Sequence, residues 1–248
     1  MRIPRIFTGQ DITAGVILQL EAGASAHLSR ALRLNVGDSL CLFNGSGSEW
    51  PCQISSINKK HVGVMPSEPL VRDLESPLKI HLGIAISRGD RMDMVIQKST
   101  ELGVTTITPI LTERTEVKLK GERVQKKLQH WRQITISACE QSGRTKLPEL
   151  HSPRQVDQWL QHSDGELRFV LHHRGAAGLN TAAAPASVDL LIGPEGGLTP
   201  EEIDAASGHG FQSLTLGPRV LRTETAPLAA IAILQARWGD MNPSGKAD

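Results

Sequence analysis

The chain has 248 residues and a formal net charge of +1, with 39% hydrophobic and 21% charged residues, a composition typical of one large folded domain or two smaller ones. Aromatic residues make up only 3% and Tyr is absent, which argues against a single-strand nucleic-acid binder that stacks bases on aromatic platforms. Three cysteines form no C-x-x-C pair and no apolar run approaches the roughly 18 residues of a membrane span, so we expect a cytoplasmic protein without disulfides, zinc or a membrane partner.

The first 70 residues predict a small β-barrel that carries one helix. Residues 39–57 are the clearest hairpin, because two β-rich runs flank the turn-forming residues 44–47. Residues 61–66 predict a further strand. Residues 26–38 predict a helix from their apolar spacing, with Gly37 as its stop.

A linker is predicted next, where Pro69 and Pro77 bracket a charged stretch. Proline disfavours helix before it and cannot continue a central strand. We therefore divide the chain into residues 1–72 and 73–243. Beyond the linker, residues 79–86 are a continuous apolar run, which is typical of a buried strand in a parallel sheet. A helix that ends at Gly103 and another strand follow, so the three elements predict a βαβ unit.

The rest of the chain alternates between helix and strand patterns. Helices are predicted over residues 122–142 and about 223–238, the second rich in Ala and Leu. Thr199, Pro200 and Glu202 predict a capping box with proline at the first helical position. Strands are predicted at residues 167–171, 188–192 and 213–216. The fold class is therefore α/β, with a parallel-sheet domain after a small β domain.

Several common catalytic motifs are absent. There is no G-x-G-x-x-G, no G-x-x-x-x-G-K-[ST], no H-E-x-x-H and no G-x-S-x-G, which argues against a dinucleotide fold, a P-loop, a zinc protease and a hydrolase elbow. His172 and His173 stand at a strand end, but no carboxylate or Cys lies at a suitable spacing for a metal site.

Two predicted strands end in the same dipeptide, at residues 193–194 and 217–218, both Gly-Pro. Ligands of open α/β sheets bind outside the carboxyl ends of the strands. Glycine permits close backbone approach and proline fixes φ, so both loops should be rigid and suited to a flat, largely neutral ligand such as adenine. A tight turn explains either loop alone. Two such loops on strands that we expect to be neighbours favour a ligand site.

Arg219 and Arg222 stand beside Glu224 at the start of the last predicted helix. An exposed ion pair would explain them. However, a cation at a helix N-terminus opposes the macrodipole, so we favour a cation held toward an anion or a developing negative charge.

These segments resemble those of a known family. "LLIGPEGGLTPEEI" and "LGPRVLRTETA" resemble the two signature segments of the SPOUT (trefoil-knotted) RNA methyltransferases, and more narrowly of the ribosomal RNA small subunit methyltransferase E family. "MRIPRIF", "SRGDRMDMVIQKSTELGV" and "ACEQSGR" resemble further segments of that family. The resemblance therefore covers essentially the whole chain.

The resemblance implies a knotted SPOUT methyltransferase domain, a PUA-like β-barrel that binds RNA, S-adenosyl-L-methionine as the methyl donor, and a homodimer. It also implies methylation of N3 of one uridine in 16S rRNA of the small ribosomal subunit. The last helix, rich in small residues, is a candidate for the dimer interface or a buried core helix. A SPOUT enzyme acting on a ribose 2′-oxygen or a tRNA base, and a non-enzymatic RNA-binding module, are the alternatives.

On this resemblance, Arg222 is the predicted catalytic group, because a fixed guanidinium suits the charge of a deprotonated uracil. Thr223 is predicted to assist it. Glu195 is either a general base or a residue that only orients its loop. The residues predicted to enclose the cofactor are Leu171, His172, Gly193, Pro194, Gly196, Gly197, Leu216, Gly217, Pro218, Val220 and Leu221.

The charge distribution bears on RNA binding. Lys and Arg outnumber Asp and Glu by 7 to 5 in residues 1–72 and by 13 to 10 in residues 73–150, whereas residues 151–248 hold 7 against 11. The first 150 residues are therefore the better candidate for holding a polyanion, although solvated surface charge explains each residue alone. The predicted RNA contacts are Arg2, Arg5, Arg30, Arg33, Arg88, Arg91 and Arg144.

Overall fold

A computed structural model describes residues 3–58, 61–117, 121–172, 179 and 183–241. The chain forms two compact units, the first made of Met1–Glu75 and Ile136–Leu147 and the second of Ser76–Thr135 and Pro148–Asp248. A single cut after residue 72 does not describe this division, because the chain returns to the first unit at residues 136–147.

The first unit is built on a six-stranded sheet. Its strands are β1 (Arg5–Phe7), β2 (Leu18–Gln19), β3 (Ser39–Phe43), β4 (Ser48–Ile57), β5 (Val62–Pro66) and β6 (Leu70–Val71). The sheet order is β1-β3-β4-β5-β2, and β6 pairs with β4. The hairpin of β3 and β4 around residues 44–47 is confirmed, as is the strand β5. Aliphatic side chains such as Leu28, Leu42 and Val64 fill the core of this unit.

The helix predicted over residues 26–38 is wrong in its bounds. The α-helix α1 spans Ala22–Ala26, and one π-helical stretch continues it over His27–Ala31. Arg33 then has a φ of 53°, a left-handed conformation that cannot continue a right-handed helix. Gly37, with a φ of 93°, serves the turn into β3 instead of stopping a helix.

The second unit is built on a seven-stranded parallel sheet, which confirms the α/β fold class. Its strands are β7 (Lys79–Ala85), β8 (Thr106–Leu111), β9 (Glu149–Leu150), β10 (Arg154–Gln155), β11 (Leu167–Leu171), β12 (Ser187–Ile192) and β13 (Gln212–Leu214). Its helices are α2 (Asp90–Glu101), α3 (Glu122–Ser142, which enters the first unit at Ile136), α4 (Val156–Gln161), α5 (Pro200–Gly208) and α6 (Thr225–Trp238). The strand order is β10-β8-β7-β12-β11-β13, with β9 also paired to β8.

The core of the second unit is aliphatic, as the composition predicts, with Leu82, Ile84 and Leu190 fully buried. A glycine makes room for the buried indole of Trp159. A Cβ added at Gly83 would lie 2.7 Å from the indole of Trp159, so α4 packs onto β7 only because this strand position has no side chain.

In the second unit, the start of α5 follows its sequence signal. The predicted capping box of α5 is confirmed: the Glu202 amide donates to Thr199 Oγ1 at 3.2 Å and the Thr199 amide donates to the Glu202 carboxylate at 2.9 Å. The short elements α4, β9 and β10 were not predicted, because two to six residues are too few to show a period.

The two strands followed by Gly-Pro are not neighbours, contrary to expectation. Both β12 and β13 pair with β11, which lies between them. Order along the chain does not determine order in the sheet, because a crossover can skip a strand position. The threading of the chain through itself, implied by the resemblance, stays a prediction. Over the residues that the structure describes, no helix has both the length and the apolar character for a transmembrane span.

Candidate functional site

A pocket of about 300 Å³ lies at the carboxyl edge of the parallel sheet, where β11, β12 and β13 end. Because β11 lies between β12 and β13, the segments that follow all three strands meet at this edge of the sheet and line the pocket. The predicted cofactor residues in its lining are Leu171, His172, Gly193, Pro194, Gly196, Gly197, Leu216, Gly217, Val220 and Leu221. Of the predicted set, Pro218 alone is outside the lining.

The loop of residues 193–198 folds back on itself. The Gly197 amide donates to the Pro194 carbonyl at 2.8 Å, and Gly197 has a φ of 69°. A Cβ on Gly193 would lie 2.9 Å from Leu198 Cγ and 3.0 Å from the Leu198 amide nitrogen. Both glycines are therefore required by the backbone, one by its dihedral angle and the other by close approach.

Two arginines from other elements hold this loop; we call Arg91 and Arg114 the arginine clamp. Arg91, on α2, donates to the Glu195 carboxylate at 2.9 Å and lies 3.8 Å from that of Glu224. Arg114, after β8, donates to the Gly196 carbonyl at 2.8 Å. The clamp fixes the loop from two sides.

The electrostatics of Glu195 bear on its predicted role. Burial raises the pKa of Glu195, but hydrogen bonds from its own amide and from the Arg91 guanidinium outweigh burial and hold that pKa below its ordinary value. A carboxylate with a lowered pKa is an inefficient base near neutrality. This geometry supports the orienting role over the general base.

Arg222 lies beside the pocket and is not part of its lining, whereas Thr223 is. The Arg222 side chain is 80% exposed and its Nη1 lies 4.0 Å from the Glu224 carboxylate. Its carbonyl accepts from the Thr225 and Ala226 amides at 2.9 Å, which starts α6. The backbone of Arg222 is thus anchored, while its guanidinium extends into solvent.

The arginines predicted to contact RNA fall into different environments. Arg30 and Arg33 are exposed in the first unit, and Arg2 lies outside the described residues. Arg88 is exposed and pairs with Glu116 at 2.7 Å.

Arg5 and Arg144 differ from the other predicted contacts, because their side chains are only 8% and 5% exposed. The Arg5 guanidinium pairs with Glu49 and also donates to the Arg144 carbonyl at 3.1 Å. Arg144 pairs with Glu75 at 2.5 Å. Because carboxylates of the same unit already engage both guanidiniums, this structure does not present them to a phosphate. The sequence around either arginine could not reveal its ion pair, since Glu49 and Glu75 are distant in sequence from Arg5 and Arg144.

Several pocket residues were not predicted. They are Arg114, Ile192, Leu198, Leu214, Thr215 and Ala226, whereas Arg219, which the sequence analysis singled out as a cation beside the site, also lies in the lining. A signal was available for Arg114, because it follows a parallel strand and must therefore stand at the same edge of the sheet as the Gly-Pro loops. Ile192 and Leu214 are the last residues of β12 and β13, Ala226 is the second residue of α6, and Leu198 lies in the loop before α5. In the sequence these apolar residues look like part of the core.

The pocket suits an adenine nucleoside without phosphates. Ile192, Leu214 and Ala226 provide apolar wall, and the two Gly-Pro loops provide backbone amide and carbonyl groups. Neither loop forms a phosphate cradle, since each contains a proline that lacks an amide hydrogen. Among the residues that the structure describes, no group of three His, Cys, Asp or Glu side chains is arranged to hold a metal.

Comparison with known families and proteins gives a consistent result. The RNA methyltransferase domain matches residues 74–235 and the RNA methyltransferase PUA domain matches residues 20–64. The ribosomal RNA small subunit methyltransferase E of Buchnera aphidicola (subsp. Schizaphis graminum) is 36% identical over 243 residues, covering 97% of this chain and 99% of its own. That of Bacillus subtilis is 30% identical over 237 residues, covering 92% and 93%.

Solved structures agree with these relatives. A methyltransferase from Legionella pneumophila in complex with the bound cofactor SAM has a TM-score of 0.94 and 46% identity, covering 97% of this chain and all of its own. A ribosomal RNA small subunit methyltransferase E from Neisseria gonorrhoeae bound to S-adenosyl methionine has a TM-score of 0.91 and 37% identity, with coverage of 97% and 100%.

Proposed function

Because this chain belongs to the ribosomal RNA small subunit methyltransferase E family, we propose that it transfers a methyl group from S-adenosyl-L-methionine to N3 of one uridine in 16S rRNA. The observation that carries the proposal is the meeting of three strand-end loops at one pocket, with Thr223 in its lining and Arg222 beside it.

The residues present fit the cofactor. When bound, S-adenosylmethionine supplies a methyl group activated by its sulfonium. Leu171, Leu214 and Leu216 offer apolar surface for its adenine, and the backbone of the Gly-Pro loops offers hydrogen bonds. The close approach that Gly193 allows keeps the loop compact enough to leave this space open.

Arg222 is assigned to the target base. Uridine N3 carries a proton at neutral pH, so N3 becomes a nucleophile only when that proton is lost and the negative charge on N3 and the flanking carbonyl oxygens is stabilised. A guanidinium is always charged and donates from a planar fork. An anchored backbone and an exposed side chain allow Arg222 to meet a base delivered from solvent, with the Thr223 hydroxyl beside it.

Glu195 is assigned to positioning. Its carboxylate joins the loop to Arg91 on α2 at 2.9 Å, so its ionised state maintains the shape of the cofactor pocket. The lowered pKa of Glu195 makes its carboxylate a poor acceptor for the proton of uridine N3, so we assign that proton to solvent water at the exposed side of the site, beside Arg222.

The wider assembly follows the same family assignment. We assign the RNA substrate to 16S rRNA within the small ribosomal subunit, in the cytoplasm, with Arg30 and Arg33 as phosphate contacts of the first unit. We also assign a homodimer that uses α6, whose Ala230 and Leu234 pack into the core while Ile233 is 42% exposed. Sedimentation of the purified protein tests the dimer directly.

One titration tests the proposed function. Calorimetry with S-adenosylhomocysteine should show one site per chain, and Gly193→Val should abolish binding because its side chain would collide with Leu198. Absence of binding to the wild type would contradict the proposal and favour a non-enzymatic RNA-binding module. Mass mapping of 16S rRNA from a deletion strain then tests the nucleotide and the methylated atom.

A further inference from the structure

A second cavity lies wholly among residues of the first unit; we call it the first-unit cavity. Its volume is about 580 Å³, within the range of about 300–1,000 Å³ typical of small-ligand sites. Its lining includes Ile3, Arg5, Ser39, Glu49, Leu70 and Arg72.

The charges of the first-unit cavity do not cancel. Glu49 is buried and pairs with Arg5, while Arg72 lies 3.4 Å from its other oxygen. Burial raises the pKa of Cys41 to about 11 and that of Cys52 to about 12, so both lining thiols are neutral. Two guanidiniums therefore face one carboxylate. The excess positive charge is nearest solvent at Arg72, whose side chain is 51% exposed.

Hydrogen-bonding capacity is also left over in the walls. Arg5 Nε and Ser142 Oγ are buried atoms without a hydrogen-bond partner, and both residues line the cavity. Buried polar atoms normally have partners. The wall of the cavity therefore contains two donors that no described residue of the first unit uses.

The remaining lining includes exposed apolar side chains. Ile3 is 56% exposed and Leu70 is 54% exposed. A concave site with apolar surface, unused donors and one excess positive charge matches a nucleotide, which has flat faces, a polar edge and an anionic phosphate.

We propose that the first-unit cavity binds one unpaired nucleotide of the RNA substrate, with its base against Ile3 and Leu70 and its phosphate at Arg72. This inference depends on the proposed function only in taking RNA as the substrate. A paired nucleotide does not fit a concave site, because its faces are stacked and its edge is engaged by its partner. The contact adds recognition of an RNA single strand to the methyl-transfer site.

Two serines of the β3–β4 hairpin provide a matched pair of variants. Ser39 is exposed and lines the cavity, whereas Ser46 is exposed in the hairpin turn and does not line it. Ser39→Phe should obstruct the cavity from its surface side. The KM for small ribosomal subunits should then rise by about fivefold or more, because one or two polar contacts to the RNA are lost. Ser46→Phe should leave KM unchanged. Equal KM values for the two variants would contradict the proposal.

A binding measurement separates this inference from the catalytic one. Protein labelled at Ile and Leu methyl groups and saturated with S-adenosylhomocysteine is titrated with a single-stranded RNA hexamer. Shifts should appear at the methyls of Ile3, Leu40 and Leu70, and should vanish in Ser39→Phe but persist in Ser46→Phe. Arg72→Gln should lower the salt dependence of hexamer binding by about 0.7 in log–log slope, the value for one phosphate contact on a single strand.

The outcomes are distinct. Hexamer shifts confined to other parts of the protein would overturn the proposal. Equal shifts with free nucleoside 5′-monophosphates at the same concentration would assign the cavity to a free nucleotide and overturn the RNA assignment. Failure of S-adenosylhomocysteine to bind would contradict the proposed function alone, because the hexamer titration can be repeated on the protein without that ligand.

Discussion

The backbone and the side chain of Arg222 have different roles. Its carbonyl starts α6, while its guanidinium is 80% exposed beside the pocket. Arg222→Ala should therefore lower kcat on small ribosomal subunits by about 10²–10³, the usual cost of removing a group that stabilises developing charge. Affinity for S-adenosylhomocysteine should stay at the wild-type value. Wild-type turnover by this variant would remove Arg222 from the mechanism, and Arg222→Lys measures how much the planar fork matters beyond charge.

Glu195 gives a prediction about pH. Its pKa is held below the ordinary value, so the ion pair with Arg91 is fully formed above the ordinary pKa of about 4.3 and is lost only as the pH falls through the lowered pKa. Glu195→Gln should keep the shape of the pH–rate profile between about pH 6 and 9, while weakening cofactor binding. A limb of the profile that disappears in Glu195→Gln would restore the general-base assignment.

Arg114 should act on binding and not on the chemical step. Its hydrogen bond to the Gly196 carbonyl at 2.8 Å holds the loop of residues 193–198, and Arg114→Met keeps the length of the side chain without the donor. We expect the Kd for S-adenosylhomocysteine to rise roughly fivefold, about 1 kcal/mol for an exposed charge-assisted bond. The kcat at saturating cofactor should be unchanged. A fall in kcat with an unchanged Kd would show that Arg114 acts elsewhere.

At the scale of elements, the contact between β7 and α4 depends on a missing side chain. Gly83→Ala would place a methyl group 2.7 Å from the Trp159 indole, and overpacking of this kind costs about 1–3 kcal/mol of unfolding free energy. Gly208→Ala, within α5, is the matched control, because nothing lies within 4 Å of an added Cβ. It should leave the free energy unchanged or raise it by up to about 1 kcal/mol. Urea denaturation distinguishes the two variants, and equal midpoints would contradict the packing argument.

Some elements can be predicted from short sequence patterns alone. The capping box of α5 and the β3–β4 hairpin involve residues within a few positions of each other, so their sequences predict them correctly. The helix expected over residues 26–38 fails because Arg33 adopts a left-handed conformation that no periodicity of Leu and Ala reports. The expectation that β12 and β13 are neighbours is wrong for a different reason, since the observed order β12-β11-β13 depends on a crossover that is set by the packing of the whole sheet.

At the scale of the whole molecule, the excess of positive charge in the first 150 residues predicts a salt effect. Arg30 and Arg33 are exposed in the first unit. Changing both to Gln should flatten the log–log salt dependence of binding to small ribosomal subunits by about 0.7–0.9 per lost phosphate contact. The Kd for S-adenosylhomocysteine should not change. An equal loss of RNA and cofactor affinity would indicate damage to the fold instead of lost phosphate contacts.

The sequence alone determined the two-part organisation, the α/β class and the two Gly-Pro loops, because aliphatic runs, caps and turn residues act over a few positions along the chain. Its signature segments also determined the family. Tertiary structure decided which of those residues work together. It placed β11 between the two strands that end in Gly-Pro loops and brought Arg91 and Arg114 onto the loop of residues 193–198. It also paired the side chains of Arg5 and Arg144 with Glu49 and Glu75. The physical reason is the separation of these residues along the chain. An ion pair or a pair of neighbouring strands joins residues that are far apart in sequence, so no local sequence pattern predicts it.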